Sequence, residues 1–238
     1  MIVDAFCGVG GNAIQFAFTC EKGGCVSHGN EAFAHFQSTV IAIDNSPVRL
    51  ACARRNAEIY GVADRITFIL GDWVSWSRDY VKRKEAGEVA AEDEVEVVFL
   101  SPPWGGIDYQ TLGGPETAPT PTSKKVKTLS TSDAPSTPTP DPPSSTSAGR
   151  PSYPLSALAP LHGAELFALA RTITPHVAYY LPRNTDIEEL ARLPEGCPRR
   201  SAEGEIVEGA EQVEIEEEWC GWKLKAITAY YGDLSHAT

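Results

Sequence analysis

Short apolar runs recur along most of the chain, and between them the apolar positions fall at helical spacing. Met1–Asp4 is an apolar start that runs into a glycine-rich turn, Cys7-Gly8-Val9-Gly10-Gly11, after which residues 12–18 carry a helical pattern. Val40–Ile43 is a β-branched run that ends at Asp44. Ser46-Pro47 marks a helix start with Pro47 in the first turn, the helical pattern runs from Val48 to Tyr60, and Gly61 closes it. Ile66–Leu70 predicts a third strand followed by Gly71-Asp72, and Val95–Leu100 a fourth followed by Ser101-Pro102-Pro103-Trp104. Leu161–Thr172 reads as a helix, Val177–Leu181 as a fifth strand, and Val213–Glu218 with Leu224–Tyr231 as a final antiparallel pair. Strand alternating with helix implies an α/β fold, a mostly parallel sheet wound by right-handed crossovers.

Two segments interrupt this rhythm. Residues 20–38 stand where a short helix-to-strand link would do, and read as an insert. Residues 113–150 are rich in Ser, Thr and Pro with almost no large apolar side chains. Such a composition buries too little surface to offset its ordering entropy, which predicts a disordered insert.

The net charge of −12 argues against a protein that coats nucleic acid along its backbone, because that mode needs a basic surface. It leaves room for a small basic pocket that holds one nucleotide, so an RNA substrate would be gripped at one end only. No apolar run is long enough to span a membrane, and the N-terminus lacks the pattern of a secretory signal. Cys20 and Cys25 have no second pair to complete a zinc site, so no metal is expected and the six cysteines read as reduced thiols.

Chemistry enters at the strand ends. A strand, Asp-x-x-x-Gly-x-Gly-Gly and a helix together form a small-ligand turn, because glycines let the backbone approach closely and helix amides offer hydrogen bonds. Asp44 ends the second strand, where a carboxylate can accept from both hydroxyls of a ribose. A dinucleotide-binding protein would place an acid there too. The glycine turn, however, lacks the spaced G-x-G-x-x-G of such proteins. Asp72 after the third strand also suits an adenine amine, with Trp73 placed to pack on the adenine ring. These features favour S-adenosylmethionine. The competing reading makes Asp44 and Asp72 helix caps or turn residues.

Ser101-Pro102-Pro103-Trp104 ends the fourth strand, at the carboxyl edge where open α/β sheets bind ligands. Two prolines stiffen the turn, so it can aim the Ser101 hydroxyl and the Pro102 carbonyl at an exocyclic amine while Trp104 stacks on a flat base. Asp/Asn/Ser-Pro-Pro-aromatic is the pattern for methylating amines on planar groups.

The blocks DAFCGVGGNAIQFA, VIAIDNSPVRLACARRNAEIYG, VFLSPPWGGIDY, YYLPRNTDIEEL and KLKAITAYYGDL, in this order, resemble the trimethylguanosine synthase family. The resemblance implies a single domain over residues 1–238, a Rossmann-like class I S-adenosylmethionine-dependent methyltransferase with a seven-stranded sheet. It also implies that the family's upstream helical extension is lacking. The implied activity converts the 7-methylguanosine cap of small nuclear and nucleolar RNAs to the 2,2,7-trimethyl form, in the nucleolus or nuclear bodies with the cytoplasm as a second location. Ribonucleoprotein proteins are the implied partners. By the same resemblance, Asp4, Gly8, Gly10 and Asn12 line the methionine and ribose side of the cofactor, Asp44 holds the ribose, and Asp72 with Trp73 holds the adenine. Ser101 and Pro102 orient the guanine amine. Trp104 stacks on the cationic 7-methylguanine, and Tyr109, Arg183 and Lys225 meet the cap phosphates. No general base is required, since the attacking nitrogen can lose its proton after transfer and catalysis is mainly positioning.

Two alternatives remain at this stage. One is a related amine methyltransferase acting on another RNA base or a protein glutamine. The other is a truncated cap-binding module without activity.

Overall fold

A computed structural model of the chain describes residues 1–20, 40–104, 152–197 and 211–235. Both inserts, 20–38 from its second residue and 113–150 entirely, lie outside these residues, as does Tyr109.

The chain forms β1 (Ile2–Asp4), α1 (Gly11–Thr19), β2 (Val40–Asp44), α2 (Pro47–Tyr60), β3 (Ile66–Leu70) and α3 (Trp73–Glu85). It continues with β4 (Val97–Leu100), α4 (Gly163–Arg171), β5 (His176–Pro182), α5 (Ile187–Arg192), β6 (Glu214–Cys220) and β7 (Lys223–Tyr231). The strands make one seven-stranded sheet in the order β3-β2-β1-β4-β5-β7-β6. The first five run parallel, and β7 pairs antiparallel with both β5 and β6. The α/β expectation and the C-terminal antiparallel pair are therefore both present. Two helices were not foreseen, α3 and α5, and their start residues explain why. Asp72 and Asp186 cap them through their carboxylates, accepting from Ser75 N–H and from Glu188 and Glu189 N–H.

The apolar periodicity divides between two cores. On one face, Ala13, Ile14 and Ala17 of α1 and Leu50 and Ala57 of α2 pack on Val40, Ala42 and Ile66. On the other, α3, α4 and α5 bury Trp73, Leu166, Phe167 and Leu190 against Ile43, Val98, Leu100, Tyr179 and Tyr231. Arg171 at the end of α4 closes the amino edge of β5. Its guanidinium meets Glu211 at 2.7 Å with both side chains less than a tenth exposed, and it also donates to the carbonyls of Pro175 and Cys197.

β1 and β4 are neighbours, although β2 and β3 intervene in sequence. The winding reverses at this seam, so the loops after β1 and β4 diverge and leave a crevice at their carboxyl ends.

Candidate active site

The glycine turn follows β1 directly. Gly8 and Gly10 hold φ of +56° and +87°, in the left-handed region that L side chains rarely adopt. Gly10 is also cramped, since a Cβ there would stand 3.0 Å from Ala53 Cβ of α2. Gly8 instead faces open space and presents its amide to Asp44.

α2 holds this turn with a stripe at helical spacing. Ala53 packs on Gly10, Asn56 donates to the Val9 carbonyl at 2.9 Å, and Arg49 grips Asp44. The helix begins and ends where its punctuation places it: Ser46 accepts from Arg49 N–H, Pro47 opens the first turn, and Gly61 closes the helix in the left-handed conformation.

Asp44 is 6% exposed, and its carboxylate is richly bonded. Oδ2 accepts from Gly8 N–H at 3.0 Å and Oδ1 from Ser46 N–H at 2.7 Å. Arg49 Nε lies 3.0 Å from Oδ1 and 3.2 Å from Oδ2, with Nη2 2.9 Å from Oδ1. Asp44 lines a cleft of about 320 Å³ with Ala5, Phe6, Gly8, Asn45 and Arg49 on one side. Gly71, Asp72, Trp73, Ser101, Pro103, Ala159 and Pro160 form the rest of its wall.

Five of the residues singled out in the sequence thus meet around one cleft: Gly8, Asp44, Asp72, Trp73 and Ser101. Pro102 is buried beneath it while Pro103 reaches the wall, and Ser101 Oγ donates to the Phe6 carbonyl at 3.4 Å, tying the β4 turn to the β1 turn. Phe6, Asn45, Arg49, Ala159 and Pro160 were not anticipated. Arg49 had one local signal, a basic residue in the first turn of a helix that starts just after an acid.

Other placements are more qualified. Asp72 Oδ2 caps α3, so the cap reading holds for this oxygen even as the residue faces the cleft. Trp73 is 1% exposed and stacks on Trp76 with centroids 5.7 Å apart, so its ring belongs to the core and only borders the cleft. Gly10 supports the turn from behind, and Asn12 is exposed on α1; neither is among the cleft-lining residues.

Asp4 is fully buried next to Ala5, and neither carboxylate oxygen has a hydrogen-bond partner in bonding geometry. Burial pushes its carboxyl up to about 7, against the partial relief of the Phe6 and Ala13 amides. The same burial, with the charges of Asp4 and Asp44 nearby, raises the Cys7 thiol far above its ordinary range and leaves it inert.

The β4–β5 side of the edge carries the remaining candidates. Trp104 is half-buried, its ring tilted over Tyr180 of β5 with centroids 5.1 Å apart, and its carbonyl accepts from the Tyr153 hydroxyl. It therefore sits beside the cleft rather than in its wall. Arg183 follows β5 and donates to the Leu224 carbonyl at 3.2 Å, while Lys225 is exposed near the start of β7. Because Pro182 pairs with Ala226, Arg183 and Lys225 share the carboxyl edge of β5. Among the described residues no group of three His, Cys, Asp or Glu side chains could hold a metal, and the described cysteines are free thiols.

Residues 1–114 match the family described as RNA cap guanine-N2 methyltransferase. The chain is 33% identical over 192 residues to a trimethylguanosine synthase of Schizosaccharomyces pombe, an alignment covering 80% of this chain and 54% of that protein. It is 34% identical over 108 residues to the trimethylguanosine synthase of Saccharomyces cerevisiae, covering 45% and 26%. The chain thus spans about half the length of the first of these curated relatives and about a quarter of the second. A SAM-dependent methyltransferase from Agrobacterium tumefaciens superposes with a TM-score of 0.49 at 12% identity, covering 97% of this chain and 55% of that one.

S-adenosylmethionine is the cofactor that such a family uses, and the residues present fit it. An open left-handed glycine and a carboxylate at the end of β2, both in the cleft wall, suit a close-lying ligand backbone and a ribose, whereas Asp4 at the end of β1 is fully buried and is not among the cleft-lining residues. The glycine turn and the Ser-Pro-Pro-Trp turn both lie within residues 1–114, the part of the chain that matches the RNA cap guanine-N2 methyltransferase family.

Proposed function

We propose that this chain transfers a methyl group from S-adenosylmethionine to the exocyclic N2 of a 7-methylguanosine cap, leading to the 2,2,7-trimethyl form. One observation carries the reading. Ser101 and Pro103 of the β4 turn and the acids Asp44 and Asp72 border the same cleft, so a donor held by the acids lies next to an acceptor held by the turn.

The bound cofactor supplies an electrophilic methyl on a sulfonium. The chain's own residues position what meets it. Asp44 and Asp72 hold the nucleoside. The Pro102 carbonyl and Ser101 Oγ accept from the guanine amine, which aims the nitrogen lone pair across the β1–β4 seam. For this the Ser101 hydroxyl needs only to keep its bond to Phe6, which leaves its lone pairs for the amine. The proton leaves the nitrogen after transfer. Trp104, buttressed by Tyr180, offers an indole face at the acceptor side, where a cationic 7-methylguanine gains a cation–π attraction of ~1–2 kcal/mol. Arg183 and Lys225 give an acidic protein a local basic edge for the cap phosphates.

The RNAs proposed are small nuclear and nucleolar RNAs, met with their ribonucleoprotein proteins in the nucleolus or nuclear bodies. Tyr109 joins the phosphate contacts in the same proposal.

The test is mass analysis of 7-methyl-GTP and GTP incubated with the protein and S-adenosylmethionine. A gain of one or two methyl masses on 7-methyl-GTP alone supports the cap reading. No gain, with S-adenosylhomocysteine still bound, sends the acceptor to another planar amine. Trp104→Ala should bind 7-methyl-GTP at least ~10-fold more weakly, a decade per 1.4 kcal/mol, with cofactor affinity little changed.

A further inference from the structure

We propose that Arg49 sets cofactor affinity as an internal competitor: its guanidinium occupies the acceptor positions on Asp44 that the ribose hydroxyls must take. The proposal rests on reading Asp44 as the ribose acid.

A carboxylate offers about four lone-pair directions. Two are taken by the amides of Gly8 and Ser46, which belong to the glycine turn and the start of α2 and are fixed by the fold. The remainder is taken by Arg49 through Nε and Nη2, which bring two donors to one carboxylate as a fork. A ribose presents two hydroxyl donors on adjacent carbons, with a spacing much like that of the fork. With four protein donors already on the carboxylate, the diol cannot be added; it has to be exchanged for the guanidinium.

The two partners differ in their freedom to move. Asp44 is 6% exposed and cannot follow a departing arginine, whereas the Arg49 side chain is 52% exposed and can swing into water. The guanidinium also donates from Nη2 to Asn45 Oδ1 at 3.0 Å, a second hold at the cleft rim. Arg49 and Asn45 both line the cleft, so the grip lies in the ligand's path rather than behind it. Donor-for-donor exchange keeps the buried carboxylate satisfied throughout, so the acid never faces the cost of a bare buried charge.

Such a competitor has two signatures that a purely structural ion pair lacks. Removing it should tighten the cofactor, and screening it should do the same. S-adenosylhomocysteine is a suitable probe because it is zwitterionic, with little salt dependence of its own. By calorimetry, Arg49→Gln should bind it about twofold to fivefold more tightly than wild type in low salt, the range that a partly exposed ion pair supports. Wild-type affinity should rise as KCl goes from ~20 mM to ~300 mM, and that rise should vanish in Arg49→Gln. In a 15N NMR spectrum, the Arg49 Nε–H should exchange slowly in the free protein and quickly once the probe saturates it.

Weaker binding by Arg49→Gln would overturn the proposal in favour of an arginine that helps hold the ligand. Equal binding, or an unchanged salt dependence, overturns it as well. If neither wild type nor Arg49→Gln binds the probe, the cofactor reading itself fails and takes the proposal with it. If both bind with equal affinity, only the proposal is lost.

Discussion

The Tyr153 hydroxyl donates to the backbone carbonyl of Trp104 across 3.3 Å. Tyr153 is wholly buried, and its own amide donates to Asn184 O at 2.8 Å just beyond β5. Through its hydroxyl and its backbone amide, this one residue ties the turn that ends β4 to the loop that leaves β5, bracing Ser101–Trp104 from the core side.

Tyr153→Phe keeps the ring in the core and removes this bond. The turn should loosen while the cofactor side is untouched. We expect a loss of ~0.5–1.5 kcal/mol in transition-state stabilisation, read as a fall in kcat for 7-methyl-GTP, with S-adenosylhomocysteine affinity within about twofold of wild type. A defect confined to cofactor affinity would remove Tyr153 from this positioning role.

Asp44→Ala deletes the acceptor of two backbone amides and a guanidinium, and with it the proposed ribose contact. Binding of S-adenosylhomocysteine should weaken by ~1.5–3 kcal/mol, the range for hydrogen bonds to a charged group. Calorimetry on a variant shown to be folded by circular dichroism checks this; unchanged affinity would take the ribose off Asp44.

Asp4 gives the fold a pH dependence of defined sign. Its carboxyl is raised by burial from an ordinary 3.8 to about 7, so the fold favours the protonated form. The associated stability is fully present below pH ~4 and is lost as pH rises through about 7. Asp4→Asn is neutral throughout. Its melting temperature relative to wild type should climb between pH 4 and 8, by the equivalent of ~2–4 kcal/mol. A flat difference across that range would mean that Asp4 finds a partner when ionised.

Arg171 and Glu211 form a buried pair that joins α4 to the segment before β6, and Glu211 also accepts from the Gly232 amide. Arg171→Met leaves a buried carboxylate without its cation and should cost ~3–5 kcal/mol in urea unfolding. The double variant Arg171→Met/Glu211→Leu should recover part of that loss. No recovery would place the cost in the carbonyls of Pro175 and Cys197 instead.

Local chemistry made much of this molecule legible. Ser46, Pro47 and Gly61 bracket α2 in the sequence as they do in the fold, and the β-branched run before Asp44 is β2. The glycine turn, Asp44 and Ser101 were readable for the same reason: strand ends in a parallel sheet converge on one edge. α3 escaped notice because Asp72 attracted a ligand reading, while its carboxylate caps the helix behind it. Trp73 then occupies the first position of that helix, which turns its ring into the core and away from the nucleoside that its neighbour suggests. Phe6, Ala159 and Pro160 depend on segments brought together only by folding, and no spacing in the chain announces them, whereas Arg49 stands in the first turn of the helix that starts just after Asp44 and was legible from that spacing.

The stripe on α2 has a mechanical consequence. Arg49, Ala53 and Asn56 span about 10 Å of one rigid rod, touching Asp44 at one end and Val9 and Gly10 at the other. The rod behaves as the jaw of a vice whose opposite jaw is the sheet. A tilt of a few degrees would move the acid and the turn in opposite directions, and a translation would widen both gaps together. Ala53→Val, a change behind the cleft that touches no ligand, would push Gly10 forward and so narrow the seat. Substitutions on the solvent side of the same rod, at Cys52 or Arg55, would leave it alone. The dimensions of the nucleoside seat are thus machined from its far side, where an alanine's missing methyl groups set the tolerance.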